Sequence, residues 1–357
     1  MERQLLHGSV FLPFVLLLTA ANCFSGGNPQ KTPVIPSSSS SAETAQIGHN
    51  AGSADAYTSS GNASPESFPA MSGVPSSFQD SRRAEQVMKA LAAAYPDRIG
   101  AVEFRDGDWA VSLAVFDTPE EEKERWYYYA EGRLLPEELR ARAAEYDPQP
   151  FYNYSADLPP WKDPSAEDAA RMRGQSERRR RNPARRSQHF FDDLWRAHSR
   201  DESWDRVKSI RFLGHPVMIH YSILEDLALV EERILAESKT NAQVRQWIGS
   251  LDTLDGWNWR SIAETQSRSF HAYGAALDLL PASLDSRETY WLWAARRNAD
   301  WWTISYDRRL HPPAAVIRAF ESQGFLWGGK WLFFDTMHFE YRPEIFILNN
   351  LPLSKLR

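Results

Sequence analysis

The sequence holds one cysteine in 357 residues. No intramolecular disulfide can form, and a zinc module built on several cysteines is excluded. Any metal must be held by histidine and carboxylate. Basic charge is also short: 41 Lys and Arg face 47 Asp and Glu, a formal net charge of −6. A dedicated nucleic-acid binder usually carries a basic excess, so nucleic acid is not expected as a partner. Past the N-terminus no run is long and apolar enough to cross a bilayer. There is no internal repeat, no glycine-rich phosphate loop and no Gly-x-Ser-x-Gly, which argues against repeat folds, P-loop enzymes and hydrolases with that nucleophile elbow. Apolar residues still make up 42% of the chain, enough to build a core.

Residues 1–25 read as an export signal. Arg3 gives a positive start, Val10 to Leu18 an apolar stretch of suitable length, and Thr19, Ala20 and Ala21 a small-residue segment. Leu18 to Cys23 resembles a bacterial lipoprotein signal, with Cys23 the residue that takes the lipid. Asn22 stands where that pattern prefers Gly, Ala or Ser, and a plain secretory signal with an incidental cysteine is the alternative. The expectation is an exported protein, periplasmic or held in the cell envelope by an N-terminal lipid anchor in the membrane. Residues 26–80 are rich in Ser, Ala, Pro, Gly and Asn and include Ser37 to Ser41 in a row. That composition buries too little apolar surface to fold and reads as a disordered tether.

The expected fold class is α+β. Residues 81–146 read as a small α+β unit of unassigned role. Arg83 to Tyr95 has helical spacing, Ile99 to Phe104 and Trp109 to Phe116 alternate like strands around an Asp106-Gly107 turn, Trp126 to Tyr129 is a further strand, and Leu135 to Ala144 a helix. Residues 147–188 are rich in Pro and charge, with eight arginines between Arg171 and Arg186, and read as a solvated linker; contact with an anionic envelope polymer or lipid headgroups is the functional alternative. Residues 189–357 read as the main globular domain. His189 to His198, Ile223 to Ser238, Gln243 to Leu251 and Ala315 to Gln323 are helices, with a strand around Ser209 to Ile219.

Two segments carry chemistry. In the first, Ala276 to Leu280 alternates so that Leu277 and Leu279 share one strand face and Asp278 the other. A carboxylate there is costly unless paired or metal-bound. A continuous helix from His271 would put His271 and Asp278 about 10 Å apart along its axis, at ~1.5 Å per residue. A loop through Gly274 would instead fold the imidazole back over the carboxylate. In the second segment, His338 and Glu340 share a strand face, Phe339 and Tyr341 the other, and Asp335 lies across a bend.

Together these residues resemble the zinc peptidases of the bacterial cell wall that include D-alanyl-D-alanine carboxypeptidases and L-alanyl-D-glutamate endopeptidases. Ser269, His271, Gly274 and Asp278 match that family's first motif; Asp335 and His338, continued to Glu340, match its second. Gly324 to Trp331 is similar to its glycine-aromatic lead-in, and Trp259-Arg260 to the arginine before the first motif. The likeness covers roughly residues 209–344. It implies a small antiparallel sheet flanked by helices, with Zn2+ held by His271, Asp278 and His338 and a fourth position left for water. It implies Asp335 as general base, with Glu340 the other acid at hand. Arg260 would bind a substrate carboxylate or the developing oxyanion, unless it pairs with Glu264. Ser269 and Glu340 would orient the ligands, although a hydroxyl at Ser269 would equally cap the turn. The implied substrate is the peptidoglycan stem peptide, cut as by a D,D-carboxypeptidase, with the endopeptidase reaction as the alternative. Two competing classes are a non-catalytic zinc-containing wall-binding module and an envelope structural protein.

Overall fold

The computed structural model describes residues 76–118 and 121–354. The export signal, Cys23 and most of the tether lie outside the described residues. Among those described, no helix is long and apolar enough to cross a membrane. The architecture is α+β, with small antiparallel sheets flanked by helices.

Helix α1 (Ser76–Ala94) opens the described chain, starting inside the segment read as tether, since no proline or glycine interrupts it. Strands β1 (Ile99–Arg105), β2 (Asp108–Thr118), β3 (Glu121–Tyr128) and β4 (Leu135–Pro136) form a sheet in that order. Asp106 and Gly107 turn β1 into β2 with both φ positive, as a two-residue hairpin needs. The expected helix after residue 135 is a short 3-10 segment, Glu137–Glu145, because Leu135 and Pro136 pair with β3 instead.

Residues 147–188, expected to be a solvated linker, are ordered against the rest. Helix α2 (Ala166–Arg181) starts at a capping box between Ser165 and Asp168. It has almost no apolar face. Arg179 attaches it, donating to the Ala263 carbonyl at 2.9 Å and lying 4.9 Å from the Phe333 ring and 5.4 Å from Trp291. Anchorage through an arginine stem and aromatic faces leaves no hydrophobic periodicity to read. Tyr154, before α2, is buried, accepting from the Trp327 N–H at 2.9 Å and donating to Glu321.

Helices α3 (His189–Trp195) and α4 (Arg200–Arg206) lead into the hairpin β5 (Val207–Phe212) and β6 (His215–His220). The single strand expected over Ser209 to Ile219 is therefore two, turned at Leu213-Gly214. Then follow α5 (Leu224–Ser238), α6 (Ala242–Ser250), β7 (Leu251–Asp255), β8 (Ala276–Pro281), α7 (Trp291–Ala295), α8 (Ala314–Glu321), β9 (Phe325–Trp327), β10 (His338–Tyr341) and α9 (Pro343–Leu348). The second sheet runs β7-β8-β10-β9, antiparallel throughout.

One face of that sheet is apolar. Leu277, Leu279 and Phe339 point into a core with Leu227, Val230 and Ile234 of α5 and Phe320 of α8, whose ring stacks on Phe339 at 4.0 Å. Val87 and Leu91 of α1 and Val111 of β2 belong to the same continuous cluster, so the N-terminal sheet and the second sheet share a core. The opposite face of β8 and β10 is left for polar residues.

Gly274 makes the turn into β8. Its φ is +69°, and a Cβ there would stand 2.6 Å from Val207 Cγ1 and 2.9 Å from the His220 nitrogen. Left-handed strain and overpacking act together, so Gly274→Ala is expected to destabilise the protein by about 2–4 kcal/mol. Denaturant unfolding checks this; a loss below about 0.5 kcal/mol would mean the turn relaxes freely.

Candidate metal centre

The register of β8 and β10 builds the site. Asp278 is paired directly with His338, Leu277 with Phe339 and Ala276 with Glu340. Period-two alternation therefore sets Asp278, His338 and Glu340 on the polar face. His271 arrives from a 3-10 turn, Phe270–Tyr273, which Gly274 closes before β8 begins. Ser269 caps this turn, its hydroxyl accepting from the His271 N–H at 3.3 Å. That is the capping role considered for it, and it fixes where His271 starts.

Three donor atoms converge. His271 Nε2 lies 3.2 Å from Asp278 Oδ1 and 3.1 Å from His338 Nδ1, and His338 Nδ1 lies 2.8 Å from Asp278 Oδ1. All three residues are buried. The outer edge of each ring has its own partner. His271 Nδ1 donates to the Gly256 carbonyl, and His338 Nε2 to Glu340 Oε2 at 3.3 Å. Those bonds assign the tautomers, leaving both inner nitrogens as bare acceptors. With both rings neutral, two lone pairs and a carboxylate face one another. Such a set repels itself unless a cation sits in its midst.

The separations suit zinc. Tetrahedral ligands about 2.0–2.1 Å from the ion stand about 3.3 Å apart. Charge agrees as well. Burial alone would lower His338, but with no ion bound the hydrogen bonds to Asp278 and Glu340 outweigh it and push the imidazole up to about 10, so a proton then takes the cation's place. Burial would raise Asp278; the two imidazoles reverse this and hold its carboxylate well below the usual range. The surroundings favour positive charge at the point where the donors meet.

Asp335 stands close enough to feel the charge of Asp278 and His338. Its N–H bonds the Gly328 carbonyl at 3.0 Å, and its backbone pairs with Tyr290 across an isolated bridge. A Cβ on Gly328 would come within 2.5 Å of the Asp335 carbonyl, which explains the bare backbone in that lead-in. Asp335 Oδ1 is buried without a hydrogen-bond partner. Burial pushes its carboxyl up to about 8, and the charge of Asp278 adds to the rise. The group is thus held beside the three donors in surroundings that favour its protonated form while no ion is bound.

Arg260 is exposed, and its charge reaches Asp335, whose carboxyl it acts to lower. Glu264, its considered partner, lies 3.6 Å from Arg180 instead. Three neighbours escaped the sequence reading. Tyr290, half-buried opposite Asp335, has its hydroxyl pushed up to about 12 by burial and by Asp335. Arg179 comes from α2, with a buried Nε lacking a partner. Trp331 packs its ring 5.4 Å from His338. Only Trp331 carried a sequence signal, as the end of the glycine-aromatic run; Tyr290 and Arg179 sit in no motif.

Comparison with known proteins agrees with this geometry. No curated protein and no solved structure matches the chain. Residues 87–151 match a family model described as a domain of unknown function. Residues 263–341 match a family model described as D-alanyl-D-alanine carboxypeptidase. That second segment holds His271, Asp278, Asp335, His338 and Glu340, and the match supports a place for it in the zinc peptidase superfamily.

Proposed function

We propose that the chain is a zinc peptidase of peptidoglycan stem peptides, of the D-alanyl-D-alanine carboxypeptidase type. The observation that carries the reading is the convergence of two bare imidazole nitrogens and a carboxylate beside the unpartnered Asp335 oxygen. His271 Nε2, Asp278 Oδ1 and His338 Nδ1 would hold the ion. Zinc, when bound, supplies Lewis acidity, polarising a carbonyl and acidifying water to a pKa of about 7.

The chain's own residues do the rest. Asp335 Oδ1 takes the proton of the attacking water and returns it to the leaving amine. Arg260, exposed and near enough for its charge to reach Asp335, binds the carboxylate at the end of the substrate. Glu340 and the Gly256 carbonyl keep the two imidazoles turned inward. A terminal carboxylate is what a carboxypeptidase substrate offers next to its scissile bond, and Arg260 favours that reaction. Export, and anchorage by a lipid on Cys23, are part of the same proposal, since this substrate lies outside the cytoplasm.

Purified protein incubated with muropeptides and read by mass spectrometry tests this. Release of one terminal alanine, with zinc bound one per chain, is the expected result. A cut after L-alanine would replace it with the endopeptidase reaction. Stoichiometric zinc with every muropeptide left intact would make the fold a binding module.

A further inference from the structure

A chain of charged side chains leads on from the site. It passes from His338 and Glu340 on β10 to Arg342, which precedes α9, and Glu344 in its first turn. His338 Nε2 meets Glu340 Oε2 at 3.3 Å, and Glu340 Oε1 lies 3.7 Å from Arg342 Nη1. Arg342 Nε donates to Glu344 Oε1, and Tyr95 donates its hydroxyl to Glu344 Oε2 at 2.8 Å. Arg342 and Glu344 are wholly buried, and Tyr95 nearly so. The Arg342 guanidinium is also walled in by rings, 4.9 Å from Phe270 and 5.3 Å from Phe191. Phe270 is the neighbour of His271.

The charges in this row do not cancel. With His338 neutral, as a metal ligand must be, one guanidinium faces two carboxylates, so one negative charge is left over inside the protein, next to His338. A buried residual charge is costly unless something balances it. A divalent cation among His271, Asp278 and His338 balances this charge and that of Asp278 together. The position of each carboxylate then decides how much negative charge reaches the outer nitrogen of His338. Glu344 holds Arg342 by a direct hydrogen bond, which keeps Glu340 at the longer distance and free to accept from His338. Tyr95 holds Glu344.

We infer that Tyr95 is a positioning residue for the metal centre, and that the N-terminal unit serves the site by closing this network beneath His338. The inference rests on the metal-centre reading. Tyr95 follows directly on the last residue of α1, within the segment that matches a domain of unknown function, so it gives that segment a task. The unit is a structural member of the site rather than a separate binding module.

The test uses the full chain and measures zinc affinity by chelator competition, with the visible spectrum of the cobalt-loaded protein as a second reading. Removing a direct outer partner of a metal ligand typically weakens binding about 10–100-fold, and Glu340→Gln should fall in that range. Tyr95→Phe, two ion pairs further out, should weaken it about 3–10-fold and shift the cobalt bands, by the same outer-partner logic. Tyr154→Phe is the control. Its hydroxyl is as buried and also serves an acid, Glu321, but that acid pairs with Lys330 and not with the row leading to His338. It should lower Tm and leave zinc affinity within about twofold, as an effect on stability alone would. If Tyr95→Phe does not fold, Glu344→Gln gives the same reading. Unchanged affinity and cobalt spectrum in Tyr95→Phe would overturn the inference while leaving the metal centre standing, as would an equal loss in Tyr154→Phe. Absence of zinc binding by the wild type would remove the metal centre and this inference with it.

Discussion

His338→Ala is expected to reduce zinc from one ion per chain to almost none and to take hydrolysis to background. His338 faces Asp278 at 2.8 Å and His271 at 3.1 Å, so its loss leaves an imidazole and a carboxylate in a pocket shaped for three donors. Two ligands in place of three lose both affinity and the fixed geometry of a catalytic site. Stability should follow. With free zinc at about a thousand times its dissociation constant, the wild type gains about 4 kcal/mol from binding, and the variant forfeits it. Metal analysis paired with thermal unfolding, with and without a chelator, checks both parts. Chelated wild type should melt near the variant. A variant that keeps its zinc, or a wild type indifferent to chelation, would sink the ligand assignment.

Asp335→Asn is expected to separate catalysis from metal binding. Its carboxylate is not among the three converging donors, so zinc should stay at one per chain. The amide cannot accept the proton of the attacking water, and loss of a general base costs about 10²–10⁴-fold in rate. The effect should fall on kcat more than on KM, because the group acts on the water rather than on substrate binding. A loss smaller than about tenfold would place the base elsewhere. Glu340 is then the next acid, but it is already engaged by the outer nitrogen of His338, which makes it a poor base. Loss of zinc along with activity would show instead that Asp335 is a ligand.

The polar face of the site was legible because strand alternation is a strong local signal. Leu277 and Leu279 against Asp278, and Phe339 and Tyr341 against His338 and Glu340, fix the face each side chain takes, and the register then needs only the two strands to meet. The turn at Gly274 was legible for the same reason, as a break between two patterns. What stayed hidden is held by interactions without periodicity. Helix α2 is fastened by Arg179 on aromatic rings and a carbonyl, so its charge reads as solvent exposure. Tyr290 is brought to Asp335 by an isolated bridge with no strand pattern around it. Tyr95 reads as one more apolar position of the helical spacing from Arg83, and nothing local announces Glu344 as its partner, 249 residues away. The short turn at Leu213-Gly214 was lost inside a run that alternates on both sides of it.

The pairing of Asp278 with His338 has a kinetic side. The two residues are 60 apart in the chain, whereas His271 is only 7 from Asp278. A short segment can bring His271 to Asp278 early, but the third donor arrives only when the long excursion after β8 has closed and β10 has docked. Long-range pairings of this kind form late, because closure entropy must be met before contacts return it. Zinc therefore cannot template the sheet from its first residues. Metal capture during refolding should trail the burial of aromatic side chains, so the rate of zinc uptake clocks the last topological step of folding rather than the first.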